Sequence, residues 1–248
     1  MRKTTFSAAL VAFLVLAGTA HAAGPDYAAI VAAPDRSDAD RQTDVRRDPA
    51  ELLAFTGARP GMKVLDIGAG AGYSTELLAR AVAPGGTVYA QDSAATIEKN
   101  VKDKFDLRAA KPAMANVVHV VRPYDEPVAP GTGKLDLVTF FFWYHDTTYM
   151  DVDRAKMDKA LFDALKPGGI LVIADHSARP GDGVSVGSTF HRIEESVVKR
   201  EVEAAGFKLI AEGNFLHHPE DPRDAPVFHP KVPVDEFVLK FQKPAGAR

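Results

Sequence analysis

The sequence contains no cysteine. This absence excludes disulfide bonds, cysteine-ligated zinc, iron–sulfur clusters, a thiol nucleophile and a lipoprotein anchor. Basic residues are not in excess either, since 30 Lys and Arg stand against 33 Asp and Glu, for a formal net charge of −3. A nucleic-acid backbone would require a positive surface, so we expect no nucleic-acid partner.

No apolar run reaches the length of ~20 residues that a membrane-spanning helix needs. The longest N-terminal run covers residues 8–17, follows Arg2-Lys3 and precedes the small-residue pattern Ala20-His21-Ala22. A basic start, a short apolar core and such a cleavage site are typical of a secretory signal peptide. We therefore predict a signal peptide over residues 1–22, a periplasmic or secreted protein, and no stable membrane anchor.

The remaining sequence predicts an N-terminal arm over residues 23–48 and one domain over residues 49–248. From Pro49 onwards, helix-like and strand-like segments alternate, which indicates an α/β fold with a mainly parallel sheet covered on both faces. Two closing strands, with no helix between them, predict an antiparallel hairpin at one edge. The predicted strands cover residues 62–67, 87–90, 117–121, 135–142, 170–174, 208–213 and 234–241, and the main predicted helices follow residue 72 and cover about 152–165 and 192–205.

The most informative pattern is Gly68, Gly70 and Gly72, directly after the first predicted strand and before a helix. Glycines at such a turn let a ligand approach the backbone closely. A phosphate-binding loop would need a lysine that is absent here, and a dinucleotide loop would need glycine where Tyr73 stands. Asp66 beneath the loop would repel a pyrophosphate but suits an ammonium group. The pattern therefore favours S-adenosylmethionine over NAD, with Asp92 at the end of the second strand placed to accept ribose hydroxyls.

Four segments carry a resemblance to a known family: VLDIGAGAGYSTELLA, GGTVYAQD, LDLVTFFFWYHD and ALKPGGILVIADHS. Together they resemble the class I S-adenosylmethionine-dependent methyltransferases, over about residues 49–244, and in particular a bacterial group of exported predicted methyltransferases. The resemblance implies a Rossmann-like, seven-stranded, mainly parallel sheet with helices on both faces and an antiparallel last strand. It also implies cofactor-binding roles for the methionine-end residues Asp66, Gly68, Gly70 and Gly72, for the ribose-binding Asp92, and for Asp125 beside the adenine.

Polar residues follow the fourth and fifth predicted strands, at the sheet edge where ligands of open α/β sheets bind. Methyl transfer to an oxygen requires removal of a proton, for which an imidazole is suited. We predict His145 as the catalytic base, with His176 or His191, which opens the next predicted helix, as the alternatives. Aromatic residues beside them, namely Phe141, Trp143 and Tyr144, would stabilise a sulfonium charge.

Two other polar patterns point to less specific roles. Imidazole and carboxylate groups suit a divalent ion, and the chain offers them at His145, Asp146, Asp175, His176 and His191. These residues lack the close His-x-x-x-His spacing of a metal site, so no metal is predicted. Arg46-Arg47 on the arm would suit an acidic substrate, but the sequence favours a solvated charge run.

The sequence thus predicts methyl transfer from S-adenosylmethionine to a small-molecule acceptor. The cytosolic origin of that methyl donor conflicts with export, and this conflict supports an alternative: a non-catalytic protein that keeps the fold and binds a small ligand. A dehydrogenase is a third hypothesis, which the glycine spacing disfavours.

Overall fold

A computed structural model of the chain describes residues 24–246. Within this range the chain forms a seven-stranded sheet with the strand order β3-β2-β1-β4-β5-β7-β6. The strands are β1 (Lys63–Ile67), β2 (Thr87–Asp92), β3 (Val117–Val121), β4 (Leu135–Phe141), β5 (Leu165–His176), β6 (Lys208–Gly213) and β7 (Glu236–Gln242). β1 to β5 pair in parallel, whereas β7 is antiparallel to both β5 and β6. The predicted fold class and the predicted hairpin are confirmed. The predicted signal peptide lies outside the described residues and stays a prediction.

Helices cover both faces of the sheet. They are α1 (Tyr27–Val31), α2 (Asp38–Arg47), α3 (Pro49–Thr56), α4 (Tyr73–Val82), α5 (Ala94–Thr96), α6 (Lys102–Ala109), α7 (Arg154–Ala164), α8 (Gly187–Phe190) and α9 (Glu195–Ala204). The buried side chains of α3 and α4 form one core cluster with the sheet, and those of α7 and α9 form a second. Within residues 24–246, none of these helices combines the length and apolar character needed to cross a membrane.

β4 is the central strand that contributes to both cores. Leu137 packs into the cluster with α4, and its neighbour Val138 packs into the cluster with α7. Alternate residues of a strand point to opposite faces, so a continuous apolar run is what burial on both faces requires. The order of the sheet reverses between β1 and β4, and such a reversal opens a crevice at the carboxyl ends of the strands. The glycine loop after β1 and the histidines after β4 and β5 therefore belong to one edge.

The segment between β2 and β3 differs from the sequence prediction, which placed no helix there. It contains α5, a wider helical turn over Ile97–Val101, and α6. In α6, Phe105 is buried while most of its neighbours are exposed. A helix that buries so little apolar surface leaves a weak periodic signal in the sequence.

His191 does not open a helix, as the sequence analysis expected. It follows α8 with a left-handed backbone (φ of 54°), and α9 begins only at Glu195. The arm also contains more structure than expected, because α2 begins with a capping box between Ser37 and Asp40.

Candidate active site

The loop between β1 and α4 is bonded to the end of β2. The backbone N–H groups of Gly68 and Ala69 both donate to the carbonyl oxygen of Gln91, over 2.9 and 3.1 Å. Gly68, Gly70 and Gly72 have φ values of 65°, 57° and 79°. This conformation costs an L-residue roughly 1–2 kcal/mol, so glycine is what permits the sharp passage from strand to helix.

Asp92 lies at the end of β2, fully buried, directly beneath the glycine loop. Its Oδ2 accepts a hydrogen bond from the N–H of Gly70 at 2.9 Å, and its Oδ1 accepts one from the Tyr124 hydroxyl at 3.2 Å. Burial raises the pKa of Asp92 to about 7, against the lowering effect of these two hydrogen bonds. The loop and the acid that the sequence predicted to act together are therefore directly connected.

Asp66 is buried in β1 and joins three elements. Its carboxylate accepts hydrogen bonds from the Thr75 hydroxyl on α4 at 2.6 Å and from the Thr139 hydroxyl on β4 at 2.7 Å. Burial raises the pKa of Asp66 to about 6, although both hydroxyl groups lower it. In this structure Asp66 holds the start of α4 against the sheet.

A cavity of about 900 Å³ lies over the carboxyl ends of the strands. Trp143, which packs on Gly68, forms part of its wall, whereas the loop glycines, Asp66 and Asp92 do not line it. The cavity extends from Ala95 and Thr96, just after β2, to the histidines that follow β4 and β5. Thr96 accepts a hydrogen bond from the same Tyr124 hydroxyl that contacts Asp92. The wall of the cavity is rich in aromatic and basic side chains: Arg46, Arg47, Lys99, Phe142, Trp143, Tyr149, Phe228 and His229.

His145 is held at the cavity by Asp175, which is fully buried in β5. The ring Nδ1 of His145 lies 2.7 Å from Oδ1 of Asp175, and its backbone N–H donates to Oδ2 at 2.7 Å. Burial by itself lowers the pKa of His145, but the adjacent Asp175 carboxylate outweighs burial and raises it. Since the carboxylate accepts the Nδ1 hydrogen, the Nε2 atom is left to interact with other groups.

The two alternative bases also line the cavity, in different surroundings. Burial lowers the pKa of His176 well below its ordinary value, so this ring stays neutral. His191 is less enclosed, with 26% of its side chain exposed, and burial lowers its pKa as well. Its Nδ1 lies 3.3 Å from Nε2 of His145. The structure thus brings all three predicted histidines to one cavity.

Comparison with known proteins gives the family. Residues 38–212 match the family described as a methyltransferase domain, which is well over half of the 248 residues. The chain belongs to this methyltransferase family. Together with the fold, this membership makes the protein a class I S-adenosylmethionine-dependent methyltransferase by family, with S-adenosylmethionine as its cofactor.

Individual similarities agree with the family. A ubiquinone/menaquinone biosynthesis C-methyltransferase from Vibrio vulnificus is 28% identical over 165 residues, which are 65% of this chain and 60% of that protein. The chain thus spans less than two thirds of the length of this relative. A protein-L-isoaspartate O-methyltransferase from Aeropyrum pernix is 32% identical over 122 residues, 49% of this chain and 42% of that one.

Solved structures share the fold at low identity. An S-adenosylmethionine-dependent methyltransferase from Aquifex aeolicus superimposes with a TM-score of 0.59 at 20% identity, covering 84% of this chain and 100% of that one. An arsenic(III) S-adenosylmethionine methyltransferase from Chlamydomonas reinhardtii gives 0.55 at 17% identity, covering 90% of this chain and 74% of that one.

The side chains around the loop of this methyltransferase fit a nucleoside cofactor in kind, although Trp143 covers Gly68 and Tyr124 is bonded to Asp92 in this structure. A buried carboxylate ends β2, and the single tryptophan of the sequence, Trp143, lies on the loop. A Cβ atom at Gly68 would lie 2.7 Å from Cγ of Trp143, so glycine is needed for this contact. Among the described residues, the buried Nε1 of Trp143 has no hydrogen-bond acceptor. An unpaired donor beside an acid and a glycine loop suits a polar ligand.

Asp125 is not brought to the loop. Its Oδ2 lies 3.2 Å from Nζ of Lys156, and it does not line the cavity. Its neighbour Tyr124 is buried instead, and bonds to Asp92 and Thr96. Sequence reasoning missed Tyr124, although its place directly after β3 was a signal that this turn reaches the cofactor region.

Arg47 was expected to be part of a solvated charge run, and this expectation was wrong. Its guanidinium lies 4.4 Å above the ring of Phe142 and 5.4 Å from the ring centre of Tyr73, and it lines the cavity. Burial lowers the pKa of Arg47 to about 10, so the group stays positively charged at neutral pH. Arg46 beside it is about half exposed and lies 3.8 Å from the Glu236 carboxylate. The arm therefore supplies a cation to the cavity.

Substituting Gly68 by alanine tests the contact between the loop and Trp143. Gly68→Ala is expected to lower the free energy of unfolding by roughly 2–5 kcal/mol, because a strained backbone and a clash with the ring add together. Gly131→Ala is the matched control, since Gly131 has a φ of 82° with no atom within 4 Å of an added Cβ. The control should lose only the backbone part, and equal losses in urea denaturation would contradict the packing described here.

Substituting Asp66 by asparagine tests the cost of burying this acid. The pKa of Asp66 is raised in the folded state, so its ionisation opposes folding increasingly from about pH 4 to about pH 6 and fully above that. Asp66→Asn is therefore expected to raise the free energy of unfolding by roughly 1–3 kcal/mol at pH 8, with little effect at pH 4.

Asp136→Asn is the control of opposite sign for this experiment. Partial burial raises the pKa of Asp136, but Lys166 and the N–H of Lys63 outweigh this and lower it. At pH values above its ordinary pKa, the ionised Asp136 carboxylate thus stabilises the fold. The Asp136→Asn variant should therefore have a lower free energy of unfolding at pH 8. A loss at pH 8 for Asp66→Asn as well would contradict the account of Asp66.

Proposed function

We propose that the protein transfers a methyl group from S-adenosylmethionine to a small molecule that carries an ionisable hydroxyl group. The observation that carries the proposal is the continuous cavity. It begins at Thr96, which shares the Tyr124 hydroxyl with Asp92, and ends at the side chain of His145. Trp143, which packs on the glycine loop, and Thr96, which is linked to Asp92 through Tyr124, thus line the same cavity as a group suited to take a proton.

The residues around the loop would hold the cofactor. S-adenosylmethionine, when bound, supplies an electrophilic methyl group on a sulfonium sulfur. Asp92 would accept the ribose hydroxyls, in exchange for the hydrogen bond from Tyr124. Gly68 and Gly70 would admit the methionine portion close to the backbone, with Trp143 moving from Gly68, and the ring of Trp143 suits the positive charge.

His145 would take the proton from the acceptor. Asp175 holds a hydrogen on Nδ1, so the free Nε2 is the basic atom of the ring. The side chain of His145 is 3% exposed, so protein groups cover most of the ring. Positioning and proton removal are the main contributions that a protein makes to methyl transfer.

The cavity wall favours a planar, aromatic acceptor. Phe142, Trp143, Tyr149 and Phe228 present four rings to the same volume. Loss of a proton from a phenol activates both its oxygen and its ring carbons, so O- and C-methylation are both open to this site. The relative named as a ubiquinone/menaquinone biosynthesis C-methyltransferase supports an acceptor of this class.

A labelled-methyl assay tests the proposal. The purified chain is mixed with S-adenosylmethionine carrying an isotopically labelled methyl group and a panel of phenols, and products are read by mass spectrometry. Each phenol is paired with its methyl ether, which has no acidic proton. We expect labelled product from at least one phenol and none from its ether.

Calorimetry with S-adenosylmethionine gives the outcomes that would contradict the proposal. Binding of the cofactor with no product from any phenol would favour the non-catalytic, ligand-binding alternative. Absence of binding would overturn both the cofactor site and methyl transfer. Equal product from phenols and ethers would contradict the role of proton removal.

Export of the protein is a further part of the proposal, supported by the predicted signal peptide over residues 1–22. Expression in a bacterial host, followed by N-terminal sequencing of the periplasmic fraction, tests it. A mature protein that begins at Ala23 is expected, and an intact N-terminus confined to the cytosol would contradict it.

A further inference from the structure

Three possible metal-ligand atoms face one another in the wall of the cavity. Nε2 of His145 lies 3.3 Å from Nδ1 of His191 and 3.5 Å from Oδ1 of Asp146, and the last two atoms are 3.4 Å apart. His145 and Asp146 belong to the short helical turn after β4, whereas His191 directly follows α8 and has a left-handed backbone. Within the described part of the chain, they are the group whose ligand atoms converge closely enough to hold a metal ion.

A cation would match the three atoms at once, because each of them can offer a lone pair to the same point. Asp175 accepts the Nδ1 hydrogen of His145, so a neutral His145 ring directs the lone pair of Nε2 at the Asp146 carboxylate. Two acceptors that face each other repel unless a proton or a cation lies between them. Tyr149 donates its hydroxyl to Oδ1 of Asp146, and the Nε2 lone pair of His145 faces Nδ1 of His191, which satisfies it only in the His191 tautomer that carries its hydrogen on Nδ1.

The spacing of the three atoms distinguishes between kinds of metal ion. Bonds of about 2.0–2.1 Å at a tetrahedral zinc ion place ligand atoms about 3.3–3.4 Å apart. An octahedral magnesium ion with similar bonds would need a spacing of about 2.8–3.0 Å between adjacent ligands, and it prefers oxygen ligands. The measured 3.3, 3.4 and 3.5 Å match the tetrahedral case.

We propose that His145, Asp146 and His191 bind a divalent zinc ion, with its fourth position directed to the cavity. Asp175 supports the site from behind: a carboxylate on the far ring nitrogen orients a histidine and increases its basicity as a ligand. Two imidazoles, one carboxylate and an open position are the ligand set of many catalytic zinc sites. The sequence analysis expected no metal because His191 is separated from His145 and Asp146 by more than forty residues, a spacing that no short motif describes.

The zinc ion deepens the proposed function, and its role in catalysis rests on that function. An acceptor hydroxyl in the fourth position would lose its proton to solvent more readily, because a zinc ion lowers the pKa of a bound hydroxyl group. Nε2 of His145 would then serve as a ligand instead of accepting the proton directly. Binding of the ion itself does not depend on methyl transfer and is measured separately.

Metal titration of the full chain, produced without a histidine tag, tests the site. The protein is stripped with a chelator and titrated with Zn²⁺ by calorimetry. Co²⁺ is then used as a spectroscopic probe, because its visible bands are much more intense in tetrahedral than in octahedral sites. We expect one zinc ion per chain and a tetrahedral Co²⁺ spectrum.

Three variants locate the ion. Asp175→Asn is expected to weaken zinc binding by roughly 10- to 100-fold, the effect typical of an outer hydrogen-bond partner. His191→Ala, which removes a ligand, is expected to weaken it further. His217→Ala is the matched control, because His217 is half exposed and lies outside the cavity.

The results that would overturn the site are also defined. Zinc binding that His191→Ala leaves within threefold of the parent chain, or an octahedral Co²⁺ spectrum, would overturn it. So would a chelator-stripped chain that binds no zinc. Zinc binding that maps to these residues in a chain without methyl transfer would support the metal site while the proposed function fails.

Discussion

Replacing Asp92 with asparagine is expected to weaken the binding of S-adenosylmethionine by roughly 10- to 100-fold. The carboxylate would accept hydrogen bonds from the ribose hydroxyls, and hydrogen bonds to a charged group contribute about 1.5–3 kcal/mol each. Asparagine keeps an oxygen for the N–H of Gly70, so the loop retains its hydrogen bond at this point. Calorimetric titration measures the affinity directly, and thermal unfolding checks that the variant is folded.

The pH dependence of the same titration adds a second expectation. The pKa of Asp92 is about 7 because of burial, so the carboxyl group is partly protonated near neutral pH. Its charged form accepts hydrogen bonds better, so the affinity of the parent chain should rise between about pH 6 and pH 8. The Asp92→Asn variant should lose this part of the dependence.

Asp125→Asn is the matched control for Asp92→Asn. It makes the same chemical change just after the adjacent strand, but Asp125 pairs with Lys156, whereas Asp92 is bonded to Gly70 of the glycine loop. We expect its affinity to stay within about twofold of the parent chain. Equal weakening in the two variants, or none in Asp92→Asn, would contradict the position assigned to the ribose.

Replacing His145 with glutamine is expected to lower kcat by roughly 10²- to 10⁴-fold, the range for loss of a group that manages a proton. The affinity for S-adenosylmethionine should change little, because Asp92 and the glycine loop do not contact this ring. The measurement uses the phenol that gives the most product in the labelled-methyl assay. Measuring kcat and the cofactor affinity separately distinguishes loss of the base from a general loss of structure, which would lower both.

His217→Gln is the control for this experiment, since it removes a histidine outside the cavity. Its kcat should remain within about twofold of the parent value. A His145→Gln variant with nearly full kcat would show that the acceptor loses its proton elsewhere. Glu236 and His176 would then be the buried groups to examine, because His176 Nδ1 lies 2.9 Å from Oε1 of Glu236.

The parts of the site that the sequence predicted well are local in the chain. Gly68, Gly70 and Gly72 follow one strand directly, and Asp92 ends the next strand, so strand and turn patterns place them together. The same reasoning placed His145 and His176 at one edge, because parallel strands end on the same side of a sheet.

The other parts depend on contacts between distant segments. Arg47 reaches the cavity because the end of α2 lies against Tyr73 and Phe142, and a pair of arginines by itself has the composition of a solvated surface. The left-handed backbone of His191 turns its ring towards Asp146, which no periodicity indicates. Asp125 was predicted from its position after β3, whereas the structure turns its neighbour Tyr124 inwards.

The central claim is that S-adenosylmethionine binds on the glycine loop, under the ring of Trp143. Because this is the single tryptophan of the chain, its intrinsic fluorescence reports on that contact without interference from other tryptophans. Titration with S-adenosylmethionine should give a saturable change in emission with a stoichiometry of one, and NAD should give none. A calorimetric signal for S-adenosylmethionine without any change in the emission of Trp143 would place the cofactor elsewhere and contradict the claim.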